Sequence, residues 1–230
     1  FRTLAQRHGR FEAWSDFINM CACSISNSMD GRFYNQREAL YMECIGRYDK
    51  EERDLIVRML SRIVEALERN PEQDFLGEIF SALNLHNEWH GQFFTPYHVG
   101  ELMVQTIVDK LPQAVETNDT VGVMDPCCGA GCLLIACANE SNKMDAKYQR
   151  KILFYAQDVD RIAALMCYIQ LSFLGCRAIV KIGDSLTDPF TKNDKMNENV
   201  WVTPMQANGG LMRAMYMLTI ENEKIRKEVS

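Results

Sequence analysis

The spacing of apolar residues changes partway along the chain. Over residues 1–90 they recur every three or four positions. Phe11, Trp14, Phe17 and Ile18 share one helical face. So do Leu55, Ile56, Met59, Leu60, Ile63, Val64 and Leu67, in a strongly charged stretch that ends near Asn70-Pro71. A shorter helix fits 75–85. Another is expected from Tyr97 to about Leu111, stopped by Pro112. Beyond it, short strand-like runs alternate with helical ones. Strands are expected at 121–124, 152–157 and 178–182, and helices at 131–139 and 161–174, with Gly175 as a stop signal. A βαβαβ order predicts an α/β fold whose parallel, doubly wound sheet binds ligands at the C-terminal ends of its strands. The polar stretch 191–199 reads as an exposed linker. Residues 199–202 are strand-like, and 211–229 read as a last helix. The division that follows is a helical region over 1–90, an α/β domain over 91–207 and a C-terminal helix over 208–230.

Composition narrows the picture modestly. The chain has 230 residues, enough for a full-sized core in one or two domains. Its formal net charge of −6 argues against a dedicated polyanion-binding surface on this chain alone, although a local basic face remains compatible with it. Nine cysteines invite a metal or disulfide reading, but Cys137, Cys167 and Cys176 lie in apolar runs, where a thiol behaves as a small hydrophobe. Cys21 and Cys23, and Cys127, Cys128 and Cys132, form no paired C-x-x-C knuckles, so no metal site is expected. His86, His90 and His98 surround one loop, but no spacing puts two of them on one helix face with a carboxylate between. With no signal peptide and no long apolar span, a reduced cytoplasmic protein away from membranes is expected.

The candidate chemistry lies in Val123-Met124-Asp125-Pro126-Cys127-Cys128-Gly129-Ala130-Gly131. An apolar strand runs into Asp-Pro, a Gly-x-Gly turn and a helix. Glycines there let the backbone approach a ligand that a Cβ would push away, and a helix start presents free N–H groups. A lone Gly-x-Gly is a weak signal. Three further features strengthen it by their order. Gly91-Gln92-Phe93-Phe94-Thr95-Pro96 precedes the loop and opens a helix, with Pro96 expected at the first helical position and Thr95 as its cap. An acidic strand end, Asp158, and a Gly183-Asp184 pair follow it.

Taken together these residues resemble the S-adenosylmethionine-binding part of adenine-N6 DNA methyltransferases, and among them the modification subunits of type I restriction systems. The resemblance spans about residues 87–186 and implies a partial Rossmann-like methyltransferase domain behind the helical region. It implies that Gln92, Phe93, Phe94, Thr95 and Pro96 contact the methionine end of the cofactor. Asp125, Pro126, Gly129 and Gly131 would wrap it, with Asp125 accepting from its amino group. Asp158 would hold the ribose, where the family usually has Glu. Val159 would lie against the adenine face and Asp184 near its amine. Asp160 reads instead as the cap of the following helix. DNA, together with further subunits such as a specificity subunit, is the implied partner.

The resemblance breaks at the transfer step. The family directs the target amine with an Asn-Pro-Pro-aromatic tetrapeptide after the fourth strand, and the flipped base stacks on its aromatic ring. The nearest stretch here is Thr203-Pro204-Met205-Gln206. Thr203 and Pro204 are the candidate catalytic residues of this degenerate motif, which lacks both the amide and the aromatic ring. Two expectations follow: an enzyme completed by segments or subunits elsewhere, or a cofactor-binding relative without transfer chemistry. A transferase acting on protein glutamine uses a similar tetrapeptide and suffers the same objection. A nicotinamide oxidoreductase is disfavoured, since the third glycine is missing and Asp158 lies 27 residues after Gly131.

Overall fold

A computed structural model of the chain describes residues 1–85, 94–118, 120–144, 148–191, 194 and 197–207. Five helices come first: α1 (Arg2–His8), α2 (Arg10–Asn27), α3 (Tyr34–Ile45), α4 (Lys50–Arg69) and α5 (Phe75–Ala82). Local chemistry sets their limits. Asp49 and Glu52 form a reciprocal capping box at the start of α4, and Asn70 closes that helix. Asp74 caps α5 by accepting from the Gly77 N–H at 3.0 Å.

Helices α6 (Tyr97–Gln105) and α7 (Leu111–Thr117) correct two expectations about proline. Pro96 is the residue before α6 rather than its first helical residue, and Thr95 makes no cap bond; the Pro96 carbonyl instead accepts from the Val99 and Gly100 N–H groups. Pro112 does not end a helix. It lies in the first turn of α7, where its missing N–H would have had no intrahelical partner. The chain between the two helices tightens into a 3₁₀ turn at Val108–Lys110.

The remaining elements are β1 (Val121–Asp125), α8 (Cys132–Lys143), α9 (Tyr148–Lys151), β2 (Ile152–Asp158), α10 (Arg161–Phe173), β3 (Ala178–Ile182), β4 (Val200–Val202) and α11 (Pro204–Ala207). The strands form one sheet in the order β1-β2-β3-β4. The first three run parallel, with Met124, Tyr155 and Ile179 in register. The fourth runs antiparallel to β3, so the sheet is mixed where the pattern predicted a parallel one. The fold is a helical N-terminal region followed by this four-stranded α/β layer. The expected helix over 211–229 lies outside the described residues.

Packing joins the two parts into one apolar core. Helix α10 crosses β2 and β3, and α2 packs on α10. Ile162, Leu165, Met166 and Ile169 of α10 are buried, as are Trp14, Phe17 and Ile18 of α2. The thiols of Cys137, Cys167 and Cys176 are buried as expected of small hydrophobes, and burial pushes the Cys176 thiol up. Among the described residues no helix is long and apolar enough to cross a membrane.

The loop between β3 and β4 is exposed at Thr191, Glu198 and Asn199, as expected of 191–199, but it is also anchored. Lys181 is fully buried, and its ammonium donates to Asp188 at 2.8 Å and to both Asp194 carboxylate oxygens at 3.1 and 3.2 Å. Burial alone would lower the Lys181 pKa; the two carboxylates more than reverse it, so the lysine stays charged. Phe190 then stands edge-on against Tyr155, with ring centroids 5.5 Å apart.

Candidate functional site

The parallel strands deliver three carboxylates to one end of the sheet. Asp125 is the last residue of β1 and Asp158 the last of β2, while Asp184 lies two residues beyond β3. Asp125 accepts from the Cys127 N–H at 3.1 Å and so shapes the turn after β1. Asp158 bridges two segments. One of its oxygens accepts from the Gly129 N–H at 2.8 Å, the other from the Asp160 N–H at 2.9 Å. The Cys128 N–H donates to the Gln157 carbonyl at 2.9 Å, so the glycine turn is fastened to β2 at two successive residues. The Gly183 N–H donates to the Asp158 carbonyl at 2.9 Å and ties β3 into the same cluster.

Both loop glycines are left-handed, with φ 53° at Gly129 and 102° at Gly131. Each also lies against a neighbour. A Cβ on Gly129 would stand 3.0 Å from the Phe94 ring, and one on Gly131 would stand 2.8 Å from the Cys167 sulfur. Gly131 therefore serves the packing of α8 on α10 as well as the turn. Phe94 packs on Phe80 of α5 at 5.3 Å between ring centroids, which brings the segment before α6 onto the loop.

Burial pushes the Asp125 and Asp158 carboxyls above the usual carboxylate range, and the N–H donors only partly offset it. Asp184 is exposed and held below that range by the Leu186 N–H. Beside the cluster, Val159 is 73% and Leu186 90% exposed. Acceptors set around the end of a sheet, with apolar side chains open to solvent beside them, can hold a ligand that carries an ammonium group, hydroxyls and a flat ring.

Most of the predicted residues therefore meet. Phe94, Gly129 and Asp158 are joined directly, Asp125 and Gly131 belong to the same turn through Cys127 and Cys128, and Val159 and Asp184 stand on the adjoining strand ends. Pro126 is exposed beside the turn. Thr95 and Pro96 lead from Phe94 into α6. Gln92 and Phe93 lie outside the described residues, as do His86 and His90; His98 is exposed. Thr203 and Pro204 are not brought to this end. The Thr203 hydroxyl donates to the Cys176 carbonyl at 2.7 Å and accepts from the Ala178 N–H at 2.9 Å, at the beginning of β3.

Sequence reasoning passed over Gln170. It is fully buried in α10; its amide donates to Asp74 at 2.8 Å and to the Ala130 carbonyl at 2.9 Å, and its carbonyl accepts from the Leu76 N–H at 3.1 Å. One side chain thus fastens the start of α5 to the glycine turn. A polar residue inside the apolar run Leu165–Leu171 was the visible signal. Burial pushes the Asp74 carboxyl upward, against the bonds from Gln170 and Gly77.

The family model described as N-6 DNA Methylase matches residues 72–208. The matched stretch begins just before the Asp74 cap, contains every strand of the sheet and ends one residue beyond α11. Neither the curated proteins nor the solved structures give a match.

Proposed function

Because the chain belongs to the N-6 DNA Methylase family, we propose that it binds S-adenosylmethionine at the ends of β1, β2 and β3 and serves adenine-N6 methylation of DNA. The observation that carries this reading is the left-handed Gly129–Gly131 turn held on Asp158, beside the exposed Val159 and Leu186. The residues present fit the cofactor. Asp125 has one oxygen without a hydrogen-bond donor among the described residues, and that oxygen can take the cofactor's ammonium group. Asp158, held by the Gly129 and Asp160 N–H groups, is a carboxylate whose oxygens can also accept from ribose hydroxyls. Val159 suits the adenine face and Asp184 its exocyclic amine, with Gln92, Phe93, Phe94, Thr95 and Pro96 toward the methionine end. The cofactor supplies an electrophilic methyl group; the chain's part is to hold it and keep its ammonium paired.

The setting we infer is that of a type I modification subunit. A net charge of −6 leaves the grip on a polyanion to further chain segments or partner subunits, a specificity subunit among them. The burial of Thr203 favours the variant in which this chain holds the donor while other segments direct the target amine. All nine cysteines are unbridged, which suits the reducing cytoplasm.

Calorimetric titration tests the reading, with NAD as the control ligand. S-adenosylmethionine should bind and NAD should not. Asp125→Ala should weaken binding about tenfold or more, as loss of a charge-assisted bond worth roughly 1.5–3 kcal/mol requires. Silence with millimolar S-adenosylmethionine would defeat the proposal.

The same pairing predicts a pH dependence. Only ionised Asp125 pairs with the ammonium group, and burial raises its pKa. Affinity should therefore be full near neutrality and fall on acidification, starting above the ordinary aspartate value of about 3.9. Asp125→Asn should be weak throughout and lose that pH dependence.

A further inference from the structure

On the helical side of the sheet, a second place gathers positive charge. Arg37 of α3 and Arg161, the first residue of α10, both approach the indole of Trp201 in β4. Their guanidinium carbons lie 4.1 and 5.7 Å from the ring centroid. With Phe33 and Asn199 they line a cavity of about 210 Å³. That is below the roughly 300–1,000 Å³ of pockets that enclose drug-sized ligands, and it suits a small ion with a few waters.

The donors here outnumber their acceptors. Arg37 is 3% exposed; it donates to Ser26, to the Val200 carbonyl at 2.8 Å and to Asp30 at 3.3 Å, but its Nε has no partner. Asp30 is already engaged by two closer bonds from Arg32, at 2.7 and 2.6 Å. The Trp201 Nε1 is also buried without a partner. Arg161 donates its Nε to Asn19 at 3.1 Å, and its two terminal nitrogens find no acceptor among the described residues. Glu198 is the acid on the rim, and it is exposed. Buried donors and charges normally find partners, because leaving them unpaired costs free energy. Burial pulls the pKa values of both arginines down, as expected where compensation is incomplete.

We propose that this cavity is an oxyanion site that takes a phosphate group, gripped by Arg37 and Arg161 over the Trp201 ring. Guanidinium forks match phosphate oxygens, and the indole keeps both cations oriented by lying under them. The cavity also lies toward the same end of the sheet as the carboxylate cluster. Arg161 follows Asp158 by three residues, and the Asn199 carbonyl accepts from the Ile182 N–H at 3.0 Å, at the C-terminal end of β3. The phosphate can therefore belong to a nucleic-acid backbone reaching the cluster or to a free phosphorylated species. The site itself stands apart from the cofactor reading.

The experiment titrates the full chain at low salt with inorganic phosphate, following thermal shift and heat of binding. It then repeats the titration with a short mixed-sequence DNA duplex, with and without phosphate. Arg161→Gln removes the guanidinium and leaves the bonds of Arg37 in place, so it tests the site without breaking that structural tie. Phosphate should stabilise the wild type, and Arg161→Gln should bind it about tenfold more weakly, as expected for one charge-assisted contact. Glu198→Gln should bind it more tightly. Duplex that competes with phosphate assigns the group to a nucleic-acid backbone; phosphate binding that duplex leaves untouched assigns it to a small phosphorylated ligand. Absence of any phosphate effect, or equal binding by wild type and Arg161→Gln, overturns the site. Because inorganic phosphate does not need the cofactor cleft, failure here is distinct from failure to bind S-adenosylmethionine.

Discussion

Gln170→Leu should unfold at a temperature roughly 10 °C below the wild type. Leucine fills most of the glutamine's volume, so the loss comes from hydrogen bonds rather than from a cavity. Three buried groups lose a partner: the Asp74 carboxylate, which keeps only the Gly77 N–H, and the Leu76 N–H and the Ala130 carbonyl, which keep none among the described residues. Their residues are 2%, 0% and 1% exposed, so water does not replace the lost bonds. Each such group costs about 1–3 kcal/mol, and a chain of this size shifts by roughly 2–4 °C per kcal/mol. Thermal denaturation followed by circular dichroism measures it, and a shift below about 3 °C would mean that the network relaxes without Gln170. Gln170→Glu separates charge from shape. It keeps an acceptor for Leu76 but sets a second carboxylate against Asp74, whose pKa burial already raises. Its deficit should be largest near neutral pH and shrink on acidification, when one acid of the pair protonates and can donate to the other. Both variants should also weaken cofactor binding, since the Ala130 carbonyl lies in the glycine turn.

The strand, glycine turn and helix around this loop could be read from the sequence because each carries local information. Period-two and period-3.6 runs separate there, and β3 was expected over the same five residues that form it. The Asp160 cap appears as expected, accepting from the Ala163 N–H at 2.9 Å, and Gly175 ends α10 with φ 68°. What escaped is long-range. The pattern of 199–202 signals a strand but contains nothing about its partner, so its antiparallel pairing with β3 could not be foreseen. Lys181 interrupts an apolar strand, and its burial makes sense only once Asp188 and Asp194 fold back onto it. Pro112 was misjudged for a local reason: proline both stops a helix and starts one, and the preceding turn decides which. Nothing in the sequence singles out Arg37 of α3. Its place over Trp201, 164 positions later, belongs to the tertiary fold alone.

Methyl transfer from labelled S-adenosylmethionine to mixed-sequence DNA should stay at background with this 230-residue chain alone. Transfer requires the acceptor amine held about 3–3.5 Å from the methyl carbon and in line with it. Thr203 and Pro204, the only candidates for that task from the degenerate tetrapeptide, are far from the carboxylate cluster. Thr203 bonds to Ala178 at the first residue of β3, whereas Gly183 and Asp158 meet beyond the last; four residue steps at about 3.3 Å put the two ends roughly 13 Å apart. Thr203 is also fully buried, with its hydroxyl bonded to Cys176 and Ala178. Its role in this arrangement is to close the start of β3. Thr203→Val should accordingly leave S-adenosylmethionine affinity unchanged and cost about 1–3 kcal/mol of stability, the cost of an unsatisfied buried N–H. Transfer that appears only on adding a partner chain would fit a divided active site, with the cofactor held here and the amine-directing residues supplied elsewhere. Robust transfer by the chain alone, abolished by Thr203→Val at unchanged melting temperature, would instead make Thr203 catalytic and refute this assignment.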